Sequence, residues 1–565
     1  MNKRLELVWP NKDKVLLGLD ENGKPIWGTK DDLEPRLLVQ LESVGQVNPD
    51  NLNDLYEQGD NLLIKGDNLL ALKALERHFA GKIKCIYIDP PFNTGNAFEH
   101  YDDGLEHTIW LSMMKARLEI LKTLLRKDGV IFVHIDNYEV GYLRILLDEI
   151  FSRKNFVQMI SEKRASPAGF KTINPGPLTV TDYILMYSKN KDFFEWKPFY
   201  VPVDYDENYD LLILNPDEHP TEWKFKKIHE IIYEQHGFKS WHDAKKKWGN
   251  DWKVIRKSLC GTFALENADR VVSIRDPHKP SEAIQELLDK SKVDRDRVFV
   301  LEREKYDDIY IINGGALSFY RNKIQEIDGE LVPTEILTNL WNDINYAGIA
   351  EEGGVQFKNS KKPEMLLKRI IEMSTGPGDW VLDSFLGSGT TAAVAHKLGR
   401  KWIGIELGEH AETHCLPRLK RVVSGEDQTG ISKQVGWKGG GGFRYCVLGE
   451  SLFAKDEDTG LVMINPKYTN GPLVAAVCNL EDFRLNNDSV FHGVRGNVYA
   501  HVTEEKVTQA YLDSLVERLP HGNSLTIYCL KRTTGLKIPP EVKIKRIPKE
   551  LQIPRYLTIK GKGSV

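Results

Sequence analysis

From Asn61 onward the apolar positions of the chain switch repeatedly between two spacings. NLLIKGDN (61–68) is a short apolar run closed by Gly66-Asp67-Asn68, which predicts a strand and a turn. LLALKALERHFA (69–80) repeats at helical spacing, and KCIYIDPP (84–91) is a second strand-like run. An amphipathic helix is predicted from about Thr108 to Leu125, followed by the turn KDG (127–129), the strand VIFVHID (130–136) and a helix near Glu139–Ile150. The same rhythm returns near Lys362. PEMLLKRIIEMS (363–374) predicts a helix and DWVLDSF (379–385) a strand. LGSGTTAAVAHKLG (386–399) predicts a glycine-rich turn entering a helix, and RKWIGIEL (400–407) another strand. Strands alternating with helices predict an α/β fold with a parallel sheet covered on both faces.

Outside these stretches the pattern changes. Residues 1–60 are polar and broken by Pro, Gly and Asn, and predict an extended arm or small lead-in domain. Between about Arg153 and Trp341 the alternation is lost in a segment rich in Trp, Tyr, Lys and Asp, which predicts an insertion. ISKQVGWKGGGGFRYCVLG (431–449) holds four consecutive glycines and predicts a linker or tight turn ahead of a small mixed domain over 450–565.

A length of 565 residues allows two to four domains, and a formal net charge of −4 excludes a uniformly basic binder. Any nucleic-acid surface must be a local patch. The six cysteines are scattered, with no C-x-x-C pair, so neither structural zinc nor a disulfide framework is expected, and no metal ligand set is assigned. The start MNKRLELVWPNKDKVLLG has no apolar stretch of signal-peptide length, and no later run approaches a membrane span. A soluble cytoplasmic protein is the expectation.

Two motifs carry chemistry. DSFLGSGTT (383–391) stands where a strand gives way to a helix. Missing side chains at Gly387 and Gly389 let backbone approach a ligand, and the helix start offers free N–H groups. The spacing lacks the lysine of a phosphate-binding loop, and Ala392 stands where a dinucleotide fingerprint needs a third glycine. Glu406, ending the next strand, could accept two ribose hydroxyls, so an adenosine without phosphates suits the combination. A tight strand-to-helix turn without a ligand is the competing reading. The second motif, YIDPPFNTG (87–95), leaves a strand through two prolines that hold extended geometry. There Asp89 could accept one hydrogen of a planar exocyclic amine and the Pro90 carbonyl the other, with Phe92 stacked on the ring. Pro90 and Pro91 remove conformational freedom before binding does. An amine so held aims its lone pair at an electrophile, and positioning supplies much of the rate.

With both motifs in one sheet, the chain resembles a β-class amino methyltransferase of DNA that uses S-adenosylmethionine. Within that class it is similar to the modification subunit of type III restriction–modification systems. The resemblance rests on GDNLLALKAL (66–75), YIDPPFNTG, VIFVHIDNYE (130–139), TDYILMYSK (181–189), NSKKPEMLLKRII (359–371), DSFLGSGTT and GWKGGGGFRY (436–445). It implies a Rossmann-like methyltransferase sheet with circularly permuted motif order, the catalytic motif preceding the cofactor motif. The implied domains are a lead-in (1–60), a catalytic half (61–190), an inserted target-recognition domain (191–340), a cofactor half (341–430), and a linker with a small mixed interaction domain (431–565). It further implies that Asp89, Pro90, Pro91 and Phe92 hold the target base. Phe385, Gly387, Gly389 and Thr390 would contact the cofactor, with Asp383 near its amino-acid end, Glu406 on the ribose, and Lys362 and Pro363 flanking it. Asp67 and Asn68 match an acid near the adenine, or cap the following helix. Asp136 is either a cap or a catalytic acid, and Tyr183 either core or pocket wall. Asp rather than Ser at position 89 favours adenine N6 over cytosine N4.

A flipped target needs DNA held elsewhere. Residues 221–260 carry ten basic against five acidic side chains, a local charge of +5, with Trp223, Trp241, Trp248 and Trp252 among them. Lys224, Lys226, Lys227, Lys245, Lys246 and Lys247 are the candidate DNA contacts, the alternative being a solvated helical face. The tryptophans are expected in the insert's core. ASPAGFKTINPGP (165–177) is either a loop closing over the base or a connector. Three activities remain open: adenine-N6 transfer beside a helicase–nuclease partner, transfer to another amine such as cytosine N4, and a recognition subunit that mainly places a nuclease partner on DNA. A homodimer is implied by the resemblance.

Overall fold

The computed structural model describes residues 5–19, 24–48, 59–93, 106–165, 177–327, 329–357, 361–456, 458–486 and 488–554. They divide into two compact units, Met1–Lys197 with Asn339–Val565, and Pro198–Thr338.

The first unit is built on a ten-stranded mixed sheet. Its elements in chain order are β1 (Leu38–Gly45), β2 (Asn61–Lys65), α1 (Asn68–Phe79), β3 (Ile83–Ile88), α2 (His107–Leu124), β4 (Leu125–Ile135), α3 (Val140–Leu147), β5 (Phe156–Lys163) and β6 (Thr181–Ser188). After the second unit come β7 (Leu340–Trp341), α4 (Glu364–Ser374), β8 (Trp380–Asp383), α5 (Thr390–Lys397), β9 (Lys401–Glu406), α6 (Leu416–Ser424) and β10 (Gly442–Leu448). The strand order is β7-β5-β6-β4-β3-β8-β9-β2-β10-β1. β4, β3, β8, β9, β2 and β10 run parallel, whereas β6 is antiparallel to β4 and β5, and β1 to β10.

The parallel centre follows from composition. Ile83, Cys85, Ile86, Tyr87 and Ile88 are all buried, as a strand covered on both faces requires. α1 begins where Asp67 accepts the Leu70 amide at 3.0 Å, and α6 ends at Gly425 in the left-handed region, φ 82°. The chain passes from β2 through α1 to β3 and through α2 to β4 in one direction along the sheet. From β8 through α5 to β9 it travels the other way. Right-handed crossovers therefore place α1 and α2 on the face opposite α5.

Three expectations are corrected. Residues 38–45 of the predicted arm form the edge strand β1. The glycine run closes a turn, but Gly442–Leu448 is β10, inside the main sheet rather than in a linker. Composition could not reveal this, because membership in the sheet depends on pairing with Asn61–Lys65, remote in sequence. The KDG turn is an irregularity within β4: Ile83 pairs with Leu125 and Cys85 with Val130, so the intervening residues bulge. The predicted loop over 166–176 lies outside the described residues.

Also in the first unit, Arg484–Arg546 supplies a five-stranded sheet flanked by the helices Asn470–Leu480 and Gln509–Arg518. Among its described residues the second unit contains a six-stranded antiparallel sheet, a three-stranded sheet and four α-helices. Its core includes Tyr209, Ile228, Ile232, Val271 and Tyr320. The six cysteines are buried and unpaired. Among the described residues no helix is long and apolar enough to cross a membrane.

Helices α4, α5 and α6 are tied by ions with no solvent exposure. Lys397 Nζ donates to both oxygens of Glu364 at 3.0 and 2.8 Å and lies 2.8 Å from Asp427 Oδ2, while Arg418 donates to Glu364 at 2.7 Å. Lys397→Met should leave two buried carboxylates short of a cation and cost about 3–5 kcal/mol. Urea denaturation followed by circular dichroism should show the loss as an earlier midpoint.

Candidate active site

β3 and β8 are neighbours in the sheet, with Leu382 opposite Ile86, and the chain leaves them in opposite directions. At such a reversal the connecting segments part and open a crevice beyond the carboxyl ends of the strands. Both motifs emerge there. A cleft of about 780 Å³, solvent at its mouth included, is lined on one side by Tyr87, Asp89, Pro90, Pro91 and Phe92. Asp383, Phe385, Leu386, Gly387, Ser388, Thr390 and Thr391 line the other, with Arg164, Phe357, Lys362 and Leu367 completing the wall.

The corner after β3 is rigid. The buried Trp110 of α2 donates its indole N–H to the Pro91 carbonyl at 2.8 Å, and Asn93 closes the corner at φ 60°, a conformation asparagine tolerates. Asp89 divides its oxygens between two tasks. Oδ2 accepts Lys362 Nζ at 2.6 Å, and Oδ1 is buried without a hydrogen-bond partner among the described residues. The same ammonium lies 5.0 Å from the centre of the Phe92 ring. An acceptor without a partner beside an aromatic face is the geometry that an exocyclic amine would complete.

At the turn after β8 the carboxylates, by contrast, are satisfied, although the buried Ser384 hydroxyl has no partner among the described residues. Asp383 Oδ1 accepts the Phe385 amide at 2.9 Å and Oδ2 accepts the Thr391 hydroxyl at 2.6 Å. Glu406 Oε2 accepts the Gly387 amide at 2.6 Å, and Oε1 accepts Leu407 N at 2.8 Å and lies 2.8 Å from His410 Nε2. Thr390 Oγ1 accepts Arg418 at 2.8 Å. Gly387 and Gly389 take φ of 58° and 83°, which a side chain would strain.

The structure thus brings Asp89, Pro90, Pro91, Phe92, Lys362, Asp383, Phe385, Gly387 and Thr390 to one cleft. Gly389, Pro363 and Glu406 support its wall from outside the lining. Lys362 donates to Asp89 from within that same cleft. Asp67 is a helix cap whose Oδ2 pairs with Arg117 at 3.0 Å, and Asn68 donates to the Ser384 carbonyl at 2.7 Å. Asp136 Oδ1 accepts the Tyr138 amide at 2.9 Å, and burial pushes its carboxyl up to about 6. Tyr183 packs against the main core. Arg164 and Phe357 were not foreseen: neither belongs to a motif, and each reaches the cleft only through the fold.

In the second unit Lys224, Lys227, Lys245, Lys246 and Lys247 are exposed and Lys226 half-buried; Lys226 pairs with Glu234 at 2.5 Å and Lys227 with Asp210 at 3.4 Å. Trp248 packs on Tyr233 and Phe238, whereas Trp241 is 45 % exposed and stacks on Trp252 at 5.7 Å.

The glycine turn and the stiff acidic corner thus share one cleft at a sheet reversal. Residues 83–415 match a family model described as DNA methylase, and the chain belongs to that N6/N4 DNA methylase family. A Haemophilus influenzae protein named as a probable type III restriction-modification enzyme HindVI Mod subunit is 37 % identical over 415 residues, 69 % of this chain and 54 % of its own length. The type II methyltransferase M.EcaI of Enterobacter cloacae is 30 % identical, over 66 % of this chain and 73 % of its own. The EcoPI Mod subunit of Escherichia phage P1 is 29 % identical, over 66 % and 59 %. The chain therefore spans about half the length of the first of these relatives. Among solved structures, an M1.HpyAVI–SAM complex is 16 % identical with a TM-score of 0.30, covering 63 % of this chain and 98 % of its own. The cytosine-N4-specific PvuII DNA methyltransferase is 14 % identical with a TM-score of 0.32, covering 67 % and 91 %.

Burial pushes the Asp383 carboxyl up to about 7, against the pull of the Thr391 hydroxyl and Phe385 amide. Between its ordinary value of 3.8 and about 7 the folded chain holds a proton that the unfolded chain has released, so this group's contribution to stability falls as pH rises through that window. Subtracting the melting-temperature profile of Asp383→Asn from that of the parent should leave a decline confined to it. A flat difference would remove the assignment.

Proposed function

We propose that the chain is a site-specific DNA methyltransferase that transfers a methyl group from S-adenosylmethionine to adenine N6 in double-stranded DNA. The observation that carries this reading is the buried, unpartnered Oδ1 of Asp89, set in the same cleft as the Gly387–Gly389 turn. The family match supports DNA as the substrate class.

S-adenosylmethionine supplies an electrophilic methyl on a sulfonium. Gly387 and Phe385 offer the close backbone approach and apolar surface that would hold it, on a turn stiffened by Asp383 and Glu406. Asp89 Oδ1 accepts one amino hydrogen of the target base, and Phe92 stacks on the ring. The nitrogen lone pair then projects out of the base plane. A base inside a duplex cannot reach this depth, so the target is extruded at a cost of a few kcal/mol. Lysines of the second unit, with Lys245, Lys246 and Lys247 on the last turn of one exposed helix, neutralise backbone phosphates. The Mod-subunit names of several relatives support a type III role for the chain. A helicase–nuclease partner, a homodimeric state and a cytoplasmic location belong to the same proposal.

Methyl transfer from labelled cofactor to duplex DNA, followed by nucleoside digestion, should yield methyladenosine; methylcytidine would replace adenine by cytosine N4. Asp89→Ala should lower transfer by at least about 10³-fold, because the amine loses its acceptor, while cofactor affinity measured by calorimetry stays within about threefold. Normal turnover in that variant would remove the proposed role. Replacing Lys245, Lys246 and Lys247 together by Ala should weaken DNA binding and flatten its log–log salt dependence by up to about three units. An unchanged slope would move the DNA surface elsewhere.

A further inference from the structure

Behind Phe92 lies a charged cluster that the reaction above does not use. His134 of β4, Glu162 of β5 and Asp182 of β6 occupy adjacent strands and have no more than 2 % of their side chains exposed. Glu162 and Asp182 are directly opposite each other in the ladder, where like charges repel, and burial makes each carboxylate costlier still. A sheet gains nothing in stability from that arrangement, so the residues facing it are informative. His134 Nε2 lies 3.5 Å from Asp182 Oδ2 and 3.9 Å from Glu162 Oε2. Arg164 Nε lies 3.1 Å from Asp182 Oδ1, and the Tyr346 hydroxyl donates to Glu162 Oε1 at 2.7 Å. Burial would raise the Asp182 carboxyl, but His134, Lys362 and Arg164 outweigh it and hold the group below its ordinary value.

The other side of the same imidazole faces the acidic corner. Nδ1 is 3.0 Å from the Tyr87 hydroxyl, two residues before Asp89, and the ring stacks on Phe92 with centroids 5.9 Å apart and planes inclined by 23°. One ring therefore joins the carboxylate pair to both arms of the corner. The three donor groups also lie within 4.8 Å of one another, close enough for a cation. A divalent ion would nevertheless meet the Arg164 guanidinium already on Asp182, and one Glu162 oxygen is taken by Tyr346.

We propose that His134, oriented by the Glu162–Asp182 pair, is a positioning residue that sets the plane of Phe92 and thereby the seat of the target base. This rests on the methyltransferase reading. The Tyr87 hydroxyl holds the imidazole, the two carboxylates face its other nitrogen at 3.5 and 3.9 Å, the imidazole backs the aromatic ring, and the ring presents the base at an angle suited to in-line transfer.

The test is a double-mutant cycle on kcat with His134→Gln, Phe92→Leu and both together, measured on the full chain with duplex DNA. A positioning error of this kind should lower kcat about 30-fold in each single variant, with KM for DNA and cofactor affinity within about twofold. Because His134 acts through Phe92, the double variant should fall no more than about threefold below the weaker single. Multiplicative losses would overturn the proposal, as would a stoichiometric transition metal in the purified parent protein. If His134→Gln does not fold, Tyr87→Phe and Asp182→Asn enter the same cycle with the same criterion. A parent protein that binds cofactor but transfers no methyl group would strike at the methyltransferase reading itself; multiplicative losses in an active parent would strike only at His134.

Discussion

Everything in the site depends on two parallel strands ending side by side while their chains depart in opposite directions. β3 and β8 are hydrogen-bonded neighbours, yet one continues toward β4 and the other toward β9. A right-handed crossover on each side forces the following helices onto opposite faces, and the space between the departing segments cannot be filled by either. The cleft is thus a consequence of strand order. Its walls are then specified by what each chain does in its first few residues beyond the sheet.

Those two walls are finished differently, and the difference is functional. On the β8 side every carboxylate oxygen of Asp383 and Glu406 has a donor, so the turn is a preformed cradle. The β3 side, held by Pro90, Pro91 and the Trp110 bond, keeps Asp89 Oδ1 unpartnered. Leaving a buried acceptor unmatched costs free energy, on the order of 1–3 kcal/mol. Such a group calls for a specific explanation, and a catalytic role is one of them. The ion network of Glu364, Lys397, Arg418 and Asp427 beneath α5 stiffens the cradle from behind.

Much of this was legible in one dimension. Continuous apolar runs fixed β2, β3, β4, β8 and β9, because strands buried on both faces have no room for alternation. The motif residues were legible because proline and glycine act locally: the stiffness of 89–92 and the positive φ of Gly387 and Gly389 need no distant partner. Roles that depend on a partner were harder. The bond from Lys362 to Asp89 joins residues far apart in the chain, and so does that from the Gly387 amide to Glu406. β1 and β10 were missed because an edge strand and a glycine-led strand look irregular until they are paired.

By itself the sequence determined the local chemistry: which segments could bury both faces, where the chain must turn stiffly or closely, and which side chains stand at those turns. Only the tertiary structure decided which of those groups meet. His134, Glu162 and Asp182 converge, His134 stacks on Phe92, Arg164 reaches the cleft, and Lys397 bridges acids from separate segments. The physical reason is range. Backbone torsion and hydrophobic periodicity are set within a few residues, whereas strand order and ion pairing here join positions hundreds of residues apart and leave no periodic trace in the chain.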